Sequence, residues 1–229
     1  MSQFALSLLC LAITLALYYA NKRLYRRFRR LPLMPLVLTP VLLVLMLVFG
    51  HISYQNYLGE THWLLWLLGP ATVAFAVPVY DNLKIIRRHW MSLSAGVITA
   101  TVVAVTSSVW LARLFMLPDE IQRSLAVRSV TTPFALAAAQ PLGGQPDLVA
   151  LFVVVTGVFG MAVGDMLFLR LSIQAGMAKG AGFGAASHGA GTARSWELGP
   201  QEGVIASLVM MLSGILMVLI APLVAWVMF

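Results

Sequence analysis

The sequence predicts an all-α, polytopic membrane protein with six transmembrane helices and two broken or re-entrant segments that form an inverted repeat. Three observations lead there. Of the 229 residues, 60% are hydrophobic and only 10% are charged, with a mean hydropathy of +0.90, outside the range of soluble domains. The apolar residues collect in runs close to the roughly 20 residues needed to cross a bilayer. The basic residues gather in short clusters between those runs, as topology signals do. The net charge of +7 therefore reads as topology. Nucleic-acid binding is excluded as a partner class, because no basic helix face or aromatic-interleaved patch accompanies the charge.

Taken in order, the first run covers 3 to 20. It has no Lys or Arg before it and six after it (Lys22, Arg23, Arg26, Arg27, Arg29, Arg30). That is the reverse of a signal peptide, so the run is expected to stay as the first span. Cys10 lies inside it and is the only cysteine, which excludes an intramolecular disulfide and a cysteine metal cluster. Further spans are expected at 31 to 50, 63 to 80, 91 to 116, 148 to 169 and 203 to 228. Basic clusters at 21 to 30, at 84 to 88 (Lys84, Arg87, Arg88) and at 170 to 179 (Arg170, Lys179) face the cytoplasm by the positive-inside rule. Both termini and the Asp119, Glu120 turn then lie outside an inner membrane. The chain reads as one domain over 1–229, with four spans in 1–116 and two copies of a broken segment plus a span in 117–229.

The two broken segments are "RSLAVRSVTTPFALAAAQPLGGQPD" (123 to 147) and "KGAGFGAASHGAGTARSWELGPQEG" (179 to 203). The first holds two arginines, four hydroxyl residues and Pro133, which removes a backbone donor and biases Thr132 away from helix. The second holds seven glycines, with Gly189 and Gly191 in the place of that proline. An offset of 56 residues brings Arg123 onto Lys179, Thr131 onto Ser187 and "LGGQPDLVA" onto "LGPQEGVIA". One residue later in register, Thr156-Gly157 falls on Ser213-Gly214. If each broken segment enters and leaves by one face, the single crossing between them makes the copies inverted, the usual construction of a secondary transporter's site. If both cross fully, the chain has eight spans and parallel copies.

Candidate chemistry lies at the breaks. Ser129, Thr131, Thr132, Ser187 and Thr192 offer hydroxyls, and half-helix N-termini favour an anion; the hydroxyls also suit backbone groups freed by Pro and Gly. Arg128 and Arg194 are charges at membrane depth, where a partner or an aqueous path is normal. Arg194 can clamp a carboxylate or pair with Glu197. His188 can relay a proton or serve as a buried structural histidine. Asp147 and Glu202, each beside a helix-starting proline, read as caps or as ion-coupling groups, and Asp165 can pair with Arg170. Nothing here marks an enzyme: G-x-S-x-G, H-E-x-x-H and phosphate-loop motifs are missing. His51, His62 and His89 lack ligand spacing, so neither a metal nor another cofactor is expected.

Three stretches in order, "LGPATVAFAVPVYDNLKIIRRHW", "RSVTTPFALAAAQPLGGQPDLVALFVVVTGVFG" and "KGAGFGAASHGAGTARSWELGPQEGVIASLVMMLSGILMVLIAPLV", resemble the LrgB/CidB family from about residue 31 to the C-terminus. The resemblance implies an antiholin-like regulator of murein hydrolase export working with a small LrgA/CidA-like holin-type partner. It equally implies a transporter, since the plastid glycolate/glycerate translocator is similar and bacterial pairs are associated with pyruvate uptake. The matching positions are Ser129, Thr131, Thr132 and Pro133, then Ser187, His188, Gly191, Thr192 and Arg194. The sequence departs from the family at Arg128, where Lys is common, at Asp147 and Asp165, where acids are unusual, and at Gly189. The expected function is secondary transport of a small organic anion such as glycolate, glycerate, lactate or pyruvate, with a proton. Arg194 would hold the carboxylate and His188 would carry the proton link. A chain this small would suit a homodimer or a hetero-assembly.

Overall fold

The computed structural model describes residues 3–28, 30–74 and 76–229. Arg29, one member of the first basic cluster, and Phe75, inside the 63 to 80 run, lie outside the described residues. Every regular element among the described residues is helical. The chain divides into two compact units, Met1–Ala71 and Thr72–Phe229.

In the first unit, α1 (Gln3–Arg27) is long and apolar enough to cross a membrane. A 3-10 turn at Leu31–Leu33 leads into α2 (Pro35–Phe49), 15 residues with Pro35 at its start, where the missing N–H costs nothing. At 1.5 Å per residue α2 reaches only about 22 Å, short of a bilayer core. α3 (Tyr54–Trp66) is capped by Ser53, whose hydroxyl accepts from the Asn56 N–H at 3.3 Å. α1 packs on α2 and α3 through polar pairs: Asn21 donates to Thr39 Oγ1 at 3.0 Å, and Thr14 meets the Tyr57 hydroxyl at 3.3 Å.

The run at 63 to 80 is divided among the end of α3, α4 (Leu68–Ala74) and α5 (Ala76–Asp81). The turn at Leu67, between α3 and α4, lies just before Pro70, which cannot donate a helix bond to the preceding turn. α6 (Leu83–Arg88) follows, then α7 (Trp90–Leu114), α8 (Asp119–Leu125), α9 (Thr132–Leu142), α10 (Pro146–Arg170), α11 (Gly176–Leu198) and α12 (Pro200–Met228). Of these, α7, α10 and α12 are long and apolar enough to span, giving four such helices with α1 among the described residues.

The second unit repeats one order of elements. α8, a break at 126 to 131, α9 and α10 are followed by the first half of α11, a break at His188, the second half of α11, and α12. Each copy ends in a long helix with proline in its first turn, Pro146 and Pro200, and an acid beside it, Asp147 and Glu202. The copies pack crosswise: α9 of the first lies against α12 of the second, and α11 of the second lies against α10 of the first. One core joins them, with Val127, Ala138, Leu142, Val149 and Met217 all buried completely.

Close approach in this unit depends on glycine. Gly180 and Gly184 set the face of α11 directly on the α12 backbone, where a Cβ would strike the carbonyl oxygens of Glu202 and Ala206. This is the small-residue spacing that brings membrane helices into contact. Along α10, a Cβ on Gly157, Gly160 or Gly164 would strike His188, Ser187 or Phe183 of α11.

Candidate functional site

In the first break the backbone leaves the helix at Ala126 and re-enters at Thr132. Two turn bonds run within the stretch: Arg128 N–H to Leu125 O and Val130 N–H to Val127 O, both 3.2 Å. Thr131 is the N-cap of α9 with extended backbone (φ −62°, ψ 145°), is buried, and makes no side-chain cap bond. Thr132 and Pro133 form the first turn of α9, so Pro133 sits where a proline is pre-organised to begin a helix. The segment is pinned at its far side, where Arg123 donates to Asp119 and to the Leu142 carbonyl, each at 2.8 Å, and Ser124 Oγ accepts from the Gln145 N–H at 3.0 Å.

The second break is a single residue. His188 has φ 36° and ψ −118° inside an otherwise continuous α11. For a residue with a Cβ this is strained, on the order of 1–3 kcal/mol, and survives only where packing over-determines it. Here the imidazole lies over Gly157, where a Cβ would come within 2.7 Å of Cε1, and bonds to the Val153 backbone one turn earlier on α10. Its Nε2 is buried without a partner. The left-handed φ falls on His188, while Gly189 and Gly191 lie within the turns that follow. Gly191 has a packing reason, since a Cβ there would strike the Phe183 carbonyl; Gly189 faces open space.

The polar residues of the second break fall into three groups. Ser187 and His188 are buried against α10. Thr192 donates to Met210 Sδ on α12 at 3.6 Å. Arg194 lies at the edge of a groove of about 530 Å³ lined also by Asp165, Phe168, Gln174 and Lys179. There its guanidinium already has two carboxylates, Asp165 at 2.7 Å and Glu197 at 2.8 Å. Asp165 is thus the partner of Arg194 across α10 and α11, in addition to the Glu197 pairing anticipated from sequence.

Ser129 belongs with residues that sequence reasoning passed over. It lines a small void of about 10 Å³, enough for one water, together with Thr101 of α7, Ala185 of α11 and Ser213 of α12. Thr101 and Ser213 are 5% and 4% exposed, and neither hydroxyl has a partner. Each such group costs about 1–3 kcal/mol when left unmade. Arg128, next in sequence to Ser129, donates from Nε to Ser108 Oγ on α7 at 2.8 Å. Thr101 and Ser108 lie seven residues apart on one face of α7, a spacing readable in "TATVVAVTSS". Among the described residues no group of three or more His, Cys, Asp or Glu is placed to hold a metal.

Long apolar helices, two helix breaks and buried polar groups at both define a multi-pass helical membrane protein. The chain matches the LrgB-like family over residues 14–227 and belongs to it. It is 33% identical over 226 residues to the uncharacterized protein YxaC of Bacillus subtilis, covering 99% of this chain and 98% of that one. It is 27% identical over 222 residues to the holin-like protein CidB of Staphylococcus aureus strain N315, covering 97% of each, and 26% identical to that of Staphylococcus epidermidis over the same share. No solved structure matches.

Proposed function

We propose that this protein is a secondary transporter of small monocarboxylates of the glycolate, glycerate, lactate or pyruvate type, and has no enzymatic activity. The observation that carries this reading is the crosswise packing of two break-containing copies, with buried polar groups at each break. Irregular backbone at membrane depth is tolerated where it lines a path or is enclosed in protein, and a transporter moves one copy against the other around such a point. On this reading the chain crosses the inner membrane six times, with both termini outside and the breaks entering from opposite faces. The His188 ring, with Nε2 unpartnered beside Ser187, is the group that links movement to a proton.

A second reading is favoured by the relatives named holin-like protein CidB: an antiholin-like regulator that acts through a small LrgA/CidA-like partner on murein hydrolase export. Uptake of labelled glycolate and pyruvate into vesicles, with and without such a partner, separates the two. The transport reading expects saturable uptake that a proton gradient stimulates, and loss of that stimulation in His188→Ala. Absence of uptake for every small acid, with the partner present, would leave the regulatory reading.

A further inference from the structure

We propose that the groove between the end of α10 and the two arms of α11, before and after His188, binds the headgroup of a zwitterionic aminophospholipid, with Lys179 taking the phosphate and Asp165 the primary ammonium. The site stands independently of the transport reading.

The groove exists because α11 folds back on itself. From 179 to 194 a straight helix would carry the two side chains about 22 Å apart. Both nevertheless line one groove of about 530 Å³. The break at His188 brings them together, and the two ends of α11 close on a single side chain, since a Cβ on Gly176 or on Gly199 would strike the Glu202 carboxylate. The remaining wall comes from the last turns of α10, a helix long and apolar enough to span, which ends at Arg170. The groove therefore lies where a span meets the membrane surface, at the level of phospholipid headgroups.

Two unmatched charges of opposite sign face this space. Arg194 donates from Nε and from one terminal nitrogen to the same oxygen, Oδ2 of Asp165, at 2.9 and 2.7 Å, and from the other terminal nitrogen to Glu197 at 2.8 Å. One cation between two acids leaves a negative charge in excess. Oδ1 of Asp165 has no hydrogen-bond or ion-pair partner among the described residues, in a side chain that is 35% exposed. Lys179, on the first arm, has no carboxylate within ion-pair reach among the described residues. A simple anion would answer only the lysine and a simple cation only the aspartate; a headgroup that carries phosphate and ammonium together answers both. Ser172 and Gln174, in the link from α10 to α11, add neutral donors for the phosphate oxygens. Phe168, Leu169, Ile173 and Leu198 make the rest of the lining apolar, a wall for acyl chains that a water-soluble zwitterion would leave unused. A primary ammonium can donate to Asp165 where a quaternary one cannot, so the aspartate selects an ethanolamine-type head over a choline-type one.

The test is native mass spectrometry of the purified full chain in detergent, titrated with phosphatidylethanolamine, phosphatidylcholine and phosphatidylglycerol of identical acyl chains, with glycerophosphoethanolamine as a water-soluble competitor. Wild type is expected to bind the ethanolamine lipid about tenfold more tightly than either of the others. Asp165→Asn is expected to remove the preference over the choline lipid and to bind the glycerol lipid no more weakly than wild type does. Lys179→Gln is expected to weaken all three lipids about tenfold and to keep the preference of ethanolamine over choline. These opposite changes would not arise if Asp165 served only to hold Arg194. Should Asp165→Asn fail to fold, the Lys179 variant, at a partly exposed position, decides the matter, and unchanged binding of all three lipids in it overturns the site. Equal binding of the three lipids by wild type overturns it as well. Displacement of the ethanolamine lipid by equimolar glycerophosphoethanolamine would assign the groove to a soluble zwitterion and overturn the phospholipid.

Discussion

The two breaks of the second unit solve one geometric problem with opposite economies. The first spreads the interruption over residues 126 to 131 in extended and turn backbone, and its Arg128 has a neutral hydroxyl, Ser108, where Arg194 has carboxylates. The second concentrates the interruption in one strained residue: His188 bonds the Val153 backbone and keeps Nε2 unpartnered, while Thr192 donates to Met210 and Arg194 to two carboxylates. The contacts that hold the copies together are nevertheless reciprocal. His188 of the second copy sits on Gly157 of the first, and Phe134 of the first sits on Gly214 of the second. A shared scaffold therefore carries unequal chemistry, so matched substitutions in the two copies should have unmatched effects.

The largest effects belong to the reciprocal glycines. A Cβ at Gly157 would lie 2.7 Å from His188 Cε1, and one at Gly214 would lie 2.7 Å from Phe134 Cγ. Gly157→Val and Gly214→Val should each cost about 1–3 kcal/mol or more through overpacking, read as loss of thermal stability in detergent. Phe134→Ala should restore stability to Gly214→Ala together with uptake, whereas His188→Gly should restore stability to Gly157→Ala without restoring uptake. Rescue of uptake in both pairs would erase the functional difference between the breaks.

A smaller effect should be confined to the second break. At 188 the φ of 36° favours glycine, so His188→Gly should be more stable than His188→Ala by about 1 kcal/mol. At Thr131, an N-cap with φ −62° and no side-chain cap bond, glycine's N-cap preference offsets its entropy cost, so Thr131→Gly and Thr131→Ala should differ by less than about 0.5 kcal/mol. Unfolding of the four variants measures both. The smallest effect belongs to Arg194 and Asp165, whose side chains are 32% and 35% exposed. A double-mutant cycle should give a coupling below about 1 kcal/mol.

The long apolar helices were legible in the sequence because length and composition decide them, and the helix starts at Pro146 and Pro200 were legible because proline in a first turn is a local signal. In the 63 to 80 run hydropathy counts apolar residues and is blind to the turn at Leu67, just before Pro70, which separates α3 from α4. The breaks were legible as regions from proline, glycine and hydroxyl density. The residue that takes the left-handed backbone in the second was not, since His188 is held there by Gly157 and Val153 of a different helix. The Arg194–Asp165 pair was not legible, because Asp165 stands 29 residues away and meets Arg194 only when α10 and α11 pack. Thr101 and Ser213 escaped notice for a similar reason: single hydroxyls in apolar spans meet at one void only when α7 and α12 pack.

The central claim is that the two copies are inverted, so that their breaks open towards opposite faces. Asp119→Cys and Lys179→Cys, each in a Cys10→Ser background, can be tested in intact cells and in inverted vesicles with a membrane-impermeant maleimide. The account predicts labelling of position 119 from the outside and of position 179 from the cytoplasmic side. Labelling of both from the same face would contradict it.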